Sequence, residues 1–396
     1  MRPARVRFVA DRTTAGKIAM VALTGSLFAL AAVLFSAPAH PAVFGPDNRT
    51  PLPASHRHLE GSIGILYEQR TRTICTAFCA GDDIIATASH CVFRTSGETA
   101  PKLSGFTFRP ASKAARTEVK IAGVEKGGGA ENVMSGSTSL SIRPPIEATR
   151  DWALIRLASP VCRGRSLSIS RRTVPELKAL AEAGRVYQVG YHHDMPSMRL
   201  VYGNPCWMRR GETSAEREII DRDFAGTRDL VLHSCDTGGG SSGSPLLVDT
   251  LTGPEVVAIN VGTYVRSKVL MQNGDIVHRY KSDTIANTAV GSGAFAQTLA
   301  MFSKAQIVSG KDRIKQLQAL LADRGFYRGT RDGVFGPDLR TAIETYERTE
   351  HITVTGLATT DLVERLVLSK GVAHQLTVEE SKVETGSVTA PKGMRK

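Results

Sequence analysis

The stretch Cys235-Asp236-Thr237-Gly238-Gly239-Gly240-Ser241-Ser242-Gly243-Ser244-Pro245 sets three glycines directly before a pair of serines. A serine hydroxyl becomes a useful nucleophile only when a base removes its proton and donors meet the oxyanion that forms. Upstream glycines let backbone N–H groups turn toward that charge in conformations that a Cβ disfavours. With Ser242 as the nucleophile, its own N–H and that of Gly240 are the natural donors. Read alone, the stretch is equally a Gly/Ser-rich turn between strands, so a base and an orienting carboxylate elsewhere must decide. Two other stretches supply them. Ile84 to Val92 is an apolar strand ending in Ser89-His90-Cys91, and Asp151 opens the alternating run Trp152 to Leu157. His90 can take the Ser242 proton and return it to a leaving group, while Asp151 holds the imidazole tautomer and stabilises its cation. This chemistry calls for no cofactor and no metal.

The order His90, Asp151, Ser242 in these contexts resembles the chymotrypsin/trypsin-like serine peptidases. The run Gly240-Ser241-Ser242-Gly243-Ser244-Pro245 is more similar to the bacterial glutamyl-endopeptidase-like branch than to the animal digestive enzymes. The resemblance implies a mainly β fold of two antiparallel six-stranded barrels. His90 and Asp151 would come from the first barrel, Ser242 from the second, and protein or peptide substrates would lie in the cleft between them. It also implies a Cys75–Cys91 bridge beside the catalytic histidine. Cys206 and Cys235 would both lie on the second barrel and pair, which leaves Cys79 with Cys162. An even cysteine count behind a targeting segment fits an oxidising compartment.

The chain departs from the animal enzymes at Ser241, where they carry an aspartate that pairs with a newly cut N-terminus, and it lacks their Ile-Val-Gly-Gly start. Activation by insertion of a new N-terminus is therefore not expected. Asp236, six residues before Ser242, stands where trypsin-like members keep the pocket aspartate for Arg or Lys side chains. A carboxylate there would favour a cationic side chain through charge-assisted hydrogen bonds. It reads equally as a turn residue capping its loop.

These residues sit in a chain of 396 residues, long enough for more than one domain. The first 39 residues read as a signal peptide: a basic lead from Arg2 to Lys17, an apolar stretch from Ile18 to Phe35, and Ala37-Pro38-Ala39 as the cleavage site. The apolar stretch is just long enough to span a bilayer, so an inner-membrane anchor is the alternative to a secreted or periplasmic product. Losing five basic residues and Asp11 would take the net charge from +12 to +8. That charge favours anionic surfaces, but its scatter and the lack of a binding motif argue against nucleic acid.

Residues 40–60 read as a leader or linker, and 61–305 as the protease domain of short strands. The segment Lys126 to Ser141 reads as a long exposed loop, and His192 and His193 as loop residues rather than metal ligands. A polar joint at Ser309-Gly310-Lys311 precedes a helical domain over 312–367, with apolar faces at Ile314, Leu317, Leu320 and Leu321 and at Leu339, Ala342, Ile343 and Tyr346. With its loop Asp332-Gly333-Val334-Phe335-Gly336-Pro337, this domain resembles the three-helix peptidoglycan-binding module, although Tyr346-Glu347 replaces the usual Phe-Gln. The tail 371–396 is polar and reads as disordered. The expected product is an exported serine endopeptidase held at the cell wall. The alternative, a catalytically silent binding protein on the same scaffold, is disfavoured because all three triad positions and the oxyanion glycine are present.

Overall fold

The computed structural model describes residues 42–93, 102–111, 118–141, 143–196, 199–209, 213–272 and 275–368. The signal segment 1–39 and the tail 371–396 lie outside the described residues. In chain order the strands are β1 (Arg49–Pro51), β2 (Ile63–Glu68), β3 (Thr73–Cys79), β4 (Ile84–Thr87), β5 (Phe106–Pro110), β6 (Val119–Lys120), β7 (Val133–Ser135) and β8 (Ala153–Arg156). They continue as β9 (Ser168–Ile169), β10 (Val186–Gly190), β11 (Val201–Gly203), β12 (Met208–Arg209), β13 (Leu230–His233), β14 (Pro245–Thr250), β15 (Gly253–Gln272) and β16 (Asp275–Gly291).

The first sheet runs β6-β5-β2-β3-β4-β8-β7. Just beyond β6, Ile121 bridges Leu157, and bonds of 2.9 Å join Ala122 N to Arg156 O and Ala158 N to Lys120 O. Six of its strands therefore close into a ring, and β7 flanks β8 outside it. Leu66, Phe106, Phe108, Ile85 and Ile155 share the inward face and are buried there, as closure of so few strands requires.

In the second sheet, β11 and β12 are parts of one extended run broken at Asn204-Pro205, where proline has no N–H to give the ladder. β11 pairs with β10 and β12 with β13, so this run closes the order β10-β14-β15-β16-β13 into a second six-stranded ring. β1 adds to β11 and β9 adds to β15, which gives sheets of seven and nine strands around two six-stranded barrels. The two-barrel β architecture expected from the sequence is present.

The helix that closes this part of the chain, α3 (Ala296–Lys304), follows α1 (Val174–Glu182) and α2 (Ser214–Asp223). It returns to the first barrel, where the Arg156 guanidinium lies 4.9 Å from the Phe302 ring and donates to the carbonyl oxygens of Phe302 and Ala305. Next come α4 (Lys311–Ala322), α5 (Pro337–Thr349) and a helix over 360–368. Ile314, Leu317, Leu321, Ile343 and Leu366 form their own core. Buried Glu347 accepts bonds from the backbone N–H groups of Thr355 (2.6 Å) and Gly356 (2.9 Å). The Tyr346-Glu347 pair is therefore an internal staple of this domain, with both residues buried.

Two expectations change. The segment 126–141 is not simply an exposed loop: Glu131, Asn132, Val133 and Met134 are buried, and β7 pairs with β8. The joint before the helical domain is pinned to this segment. Glu131 accepts from Gly310 N (2.9 Å), and Asn132 Nδ2 donates to Ser309 Oγ (2.8 Å). Arg340 of α5 adds a bond to Val133 O at 3.2 Å. The helical domain thus packs on the segment that leads to Ser137, whose carbonyl accepts from Ser89 Oγ beside His90.

Candidate active site

His90 sits in a short turn directly after β4, and Asp151 directly before β8, its antiparallel neighbour. The Asp151 carboxylate reaches across and grips the histidine twice: Oδ2 lies 2.7 Å from His90 Nδ1, and Oδ1 accepts from His90 N at 2.9 Å. This geometry fixes Nδ1 as the protonated nitrogen and leaves Nε2 free to act as the base. Burial disfavours the imidazolium, but the facing carboxylate outweighs it and holds the His90 pKa above the ordinary value. The three disulfides are Cys75–Cys91, Cys79–Cys162 and Cys206–Cys235. The first lies under the imidazole, with a ring nitrogen within 4.8 Å of both sulfurs. Those sulfurs are oxidised to a bridge and are not thiolate ligands.

The serine loop enters from the second barrel and is sewn to the first through Thr76 on β3. Thr76 N donates to Ser242 O (2.9 Å), and Thr76 Oγ1 donates to Gly240 O (2.9 Å) while accepting from Tyr191 N (2.9 Å). Gly243 has φ +84°, and a Cβ there would lie 2.1 Å from Thr76 O and from Thr87 Oγ1, and 3.1 Å from Ala88 N. The residue after Ser242 is thus wedged against Thr87 and Ala88, where β4 leads into His90. Among the three serines of the loop, Ser241 and Ser244 are buried and bonded inward. Asn260 Nδ2 donates to Ser241 O and Oγ, and Ser244 Oγ donates to Ser241 O. Ser242 is only half-buried. Gly240, at φ +91°, holds the left-handed turn that glycine tolerates best.

Beside His90 and Asp151 opens a cavity of about 260 Å³, lined by Leu140, Ile146, Ala148, Phe224, Val261 and Tyr264 among others. Beneath the loop, His233 Nε2 lies 3.1 Å from Asn260 Oδ1, and His233 Nδ1 accepts from Cys235 N. Burial pushes the His233 pKa down to about 4, so it stays neutral.

Asp236 does not sit as a pocket carboxylate would. It is fully buried, with Oδ1 accepting from Phe44 N (2.7 Å) and Oδ2 from Asn48 N (3.0 Å). Its charge is met by the chain's own amides. These bonds tie Asp236 to the N-terminal segment and not to its own turn. Sequence reasoning missed that segment, along with Thr76, Thr87 and Asn260, whose residue types carry no chemical signature of their own. His192 accepts two hydrogen bonds at Nδ1 and, like His193, belongs to no metal-ligand cluster among the described residues.

A histidine–carboxylate pair at the end of one barrel, with a glycine-flanked serine loop bonded to that barrel through Thr76, is the arrangement expected of a serine peptidase. Residues 75–259 match the "Trypsin-like peptidase domain" family and residues 310–366 the "Putative peptidoglycan binding domain" family. Residues 75–259 of the chain thus carry a trypsin-like peptidase domain. Among solved structures it is similar to a Glu endopeptidase in complex with MPD, at 17% identity over 67% of this chain and 100% of that one, with a TM-score of 0.43. It is also similar to the thermostable serine protease AL20 from an extremophilic microorganism, at 16% identity over 62% and 99% of the two chains, with a TM-score of 0.38. No curated protein sequence matches the chain.

Proposed function

We propose that Ser242 is the nucleophile of a peptide-bond hydrolase in which His90 is the general base and Asp151 its orienter. Ser242 Oγ attacks the scissile carbonyl as His90 Nε2 accepts its proton. The tetrahedral oxyanion is met by the N–H groups of Gly240 and Ser242. His90 then protonates the leaving amine, and the resulting acyl-enzyme is hydrolysed by a water that His90 activates in turn. The observation that carries this reading is the two-point grip of Asp151 on His90, with bonds of 2.7 and 2.9 Å that fix the tautomer the base requires.

The cavity beside His90 is lined mainly by apolar side chains, with Glu147 and Asp151 also at its wall, and would take an apolar side chain of the substrate. With Asp236 engaged by Phe44 and Asn48, nothing in this reading favours Arg or Lys at the cleavage site. Three disulfides fit an exported, oxidising location. The C-terminal domain would hold the enzyme near peptidoglycan, raising its effective concentration at wall-associated proteins without a new active-site contact. The test is Ser242→Ala in the full chain. Turnover of a peptide substrate should fall to the residual that oxyanion donors and binding alone supply, about 10³–10⁴ over water. Wild-type turnover in that variant would overturn the assignment.

A further inference from the structure

Residues 42–51 form a strap over the loop that leads to Ser242. Ala42 and Thr237 exchange two backbone bonds, of 2.8 and 3.0 Å. Asp236 accepts the Phe44 and Asn48 amides. Arg49 then closes the strap onto the next loop. Its side chain is 3% exposed, and its guanidinium forks onto Asp47 (3.0 and 2.8 Å) and onto Asp194 (3.0 and 2.6 Å). It also donates to His192 Nδ1 at 3.1 Å, and the same nitrogen accepts Gly238 N at 3.0 Å. His193 N donates to Gly239 O at 2.6 Å. The fit leaves no slack: a Cβ on Gly238 would lie 2.0 Å from Asp194 Oδ1 and 3.0 Å from an Arg49 nitrogen. Residues 236–239 are therefore held either by the strap or by the 192–194 loop that Arg49 anchors.

Such external order is what this loop needs. Three consecutive glycines lose more conformational freedom on folding than any other tripeptide would, so their own chain supplies no preference for one arrangement. An oxyanion site works only if its N–H groups already point at the developing charge. We propose that Arg49 is a positioning residue for the reaction: through Asp194 and His192 it fixes the Gly238–Gly240 turn, and with it the Gly240 N–H that meets the oxyanion. An internal guanidinium on a strap thereby does the work that a newly cut, inserted amino terminus would do. The enzyme would be competent with any N-terminal extension that leaves residues 42–51 intact, and a cut within the strap would switch it off. This inference rests on the assignment of Ser242 as nucleophile and Gly240 as oxyanion donor.

The test compares wild type, Arg49→Lys, Arg49→Met and Arg49→Ala in the full chain, with Ser242→Ala beside them. The readouts are kcat and KM for a peptide amide and the Ki of a peptide aldehyde, whose hemiacetal oxyanion uses the same donors. Arg49→Met should lower kcat by about 10²–10³, as loss of one oxyanion donor does. KM should change little, and aldehyde binding should weaken by the same factor as kcat. Arg49→Lys keeps the charge but not the fork and should fall between. Millimolar guanidinium should restore kcat in Arg49→Ala, a rescue that a role confined to folding would not give. Should the Met variant fail to fold, the rescue of Arg49→Ala and the behaviour of Arg49→Lys still decide. Wild-type kcat in a folded Arg49→Met variant, or a kcat loss with unchanged aldehyde affinity and no rescue, would overturn the proposal. If Ser242→Ala keeps its activity, the site assignment itself fails, which is a separate result.

Discussion

Replacing Gly243 by alanine should uncouple the two barrels at the point where the serine loop meets the histidine strand. The φ of +84° at this residue is one that an L side chain adopts at a cost of about 1–2 kcal/mol. The larger effect is steric. The added methyl carbon would start 2.1 Å from Thr76 O and from Thr87 Oγ1, and must retreat by about 1.3 Å to reach ordinary contact at 3.4 Å. Thr87 can turn its side chain, but the Thr76 carbonyl is backbone within the ladder between β2 and β3 and cannot. The loop must therefore back away from the first barrel and carry Ser242 from its working position. A misplacement of about 1 Å costs roughly 10² in rate. The assay is kcat on a chromogenic peptide, run beside denaturant unfolding so that loss of fold and loss of geometry are separated. The expected result is a folded variant, destabilised by about 1–3 kcal/mol, with kcat down about 10². A folded Gly243→Ala protein with wild-type kcat would refute the account of how the barrels register the site.

Catalysis requires neutral His90, so kcat/KM should rise with pH through a pKa above the ordinary imidazole value of 6.5. Asp151→Asn removes the charge that raises it and should move this limb below 6.5, with kcat lower by about 10⁴; a limb that stays in place would deny the pairing. Asp236→Ser should leave the cleavage profile on a peptide library unchanged and lower stability by about 1–3 kcal/mol, because the amides of partly buried Phe44 and Asn48 lose a charged acceptor. A selective collapse of cleavage after Arg and Lys would instead restore the pocket role. The full chain should co-sediment with purified peptidoglycan near 1 M salt, where the screening length is only about 3 Å; its absence from the pellet would remove glycan from the account of the helical domain.

The His90–Asp151 pair was legible because histidine and aspartate each sat in a local context that only a few uses explain. The barrels were legible from the short apolar runs, and the helices from the spacing of Ile314, Leu317 and Leu321. What could not be read were the long-range polar bonds. The strap looked like a leader because its Pro, His and Asn content signals loop, yet its order comes from Asp236, 192 positions away from Phe44. Arg49 and Asp194 are ordinary surface residue types until the fold brings them together. The joint at Ser309-Gly310 likewise reads as a hinge by composition, and only the approach of Glu131 and Asn132 pins it. Glycines near 127–129 masked the burial of the residues that follow them, because residue type alone does not reveal that Glu131 caps two backbone amides, those of Gly129 and Gly310.

Of Ser241, Ser242 and Ser244, only Ser242 is proposed to react. Labelling the folded full chain with an organofluorophosphate and mapping the adduct by peptide mass spectrometry tests it directly. A single adduct on Ser242 is expected, and it should be lost in His90→Ala. Label on buried Ser241 or Ser244, or undiminished labelling without His90, would contradict it.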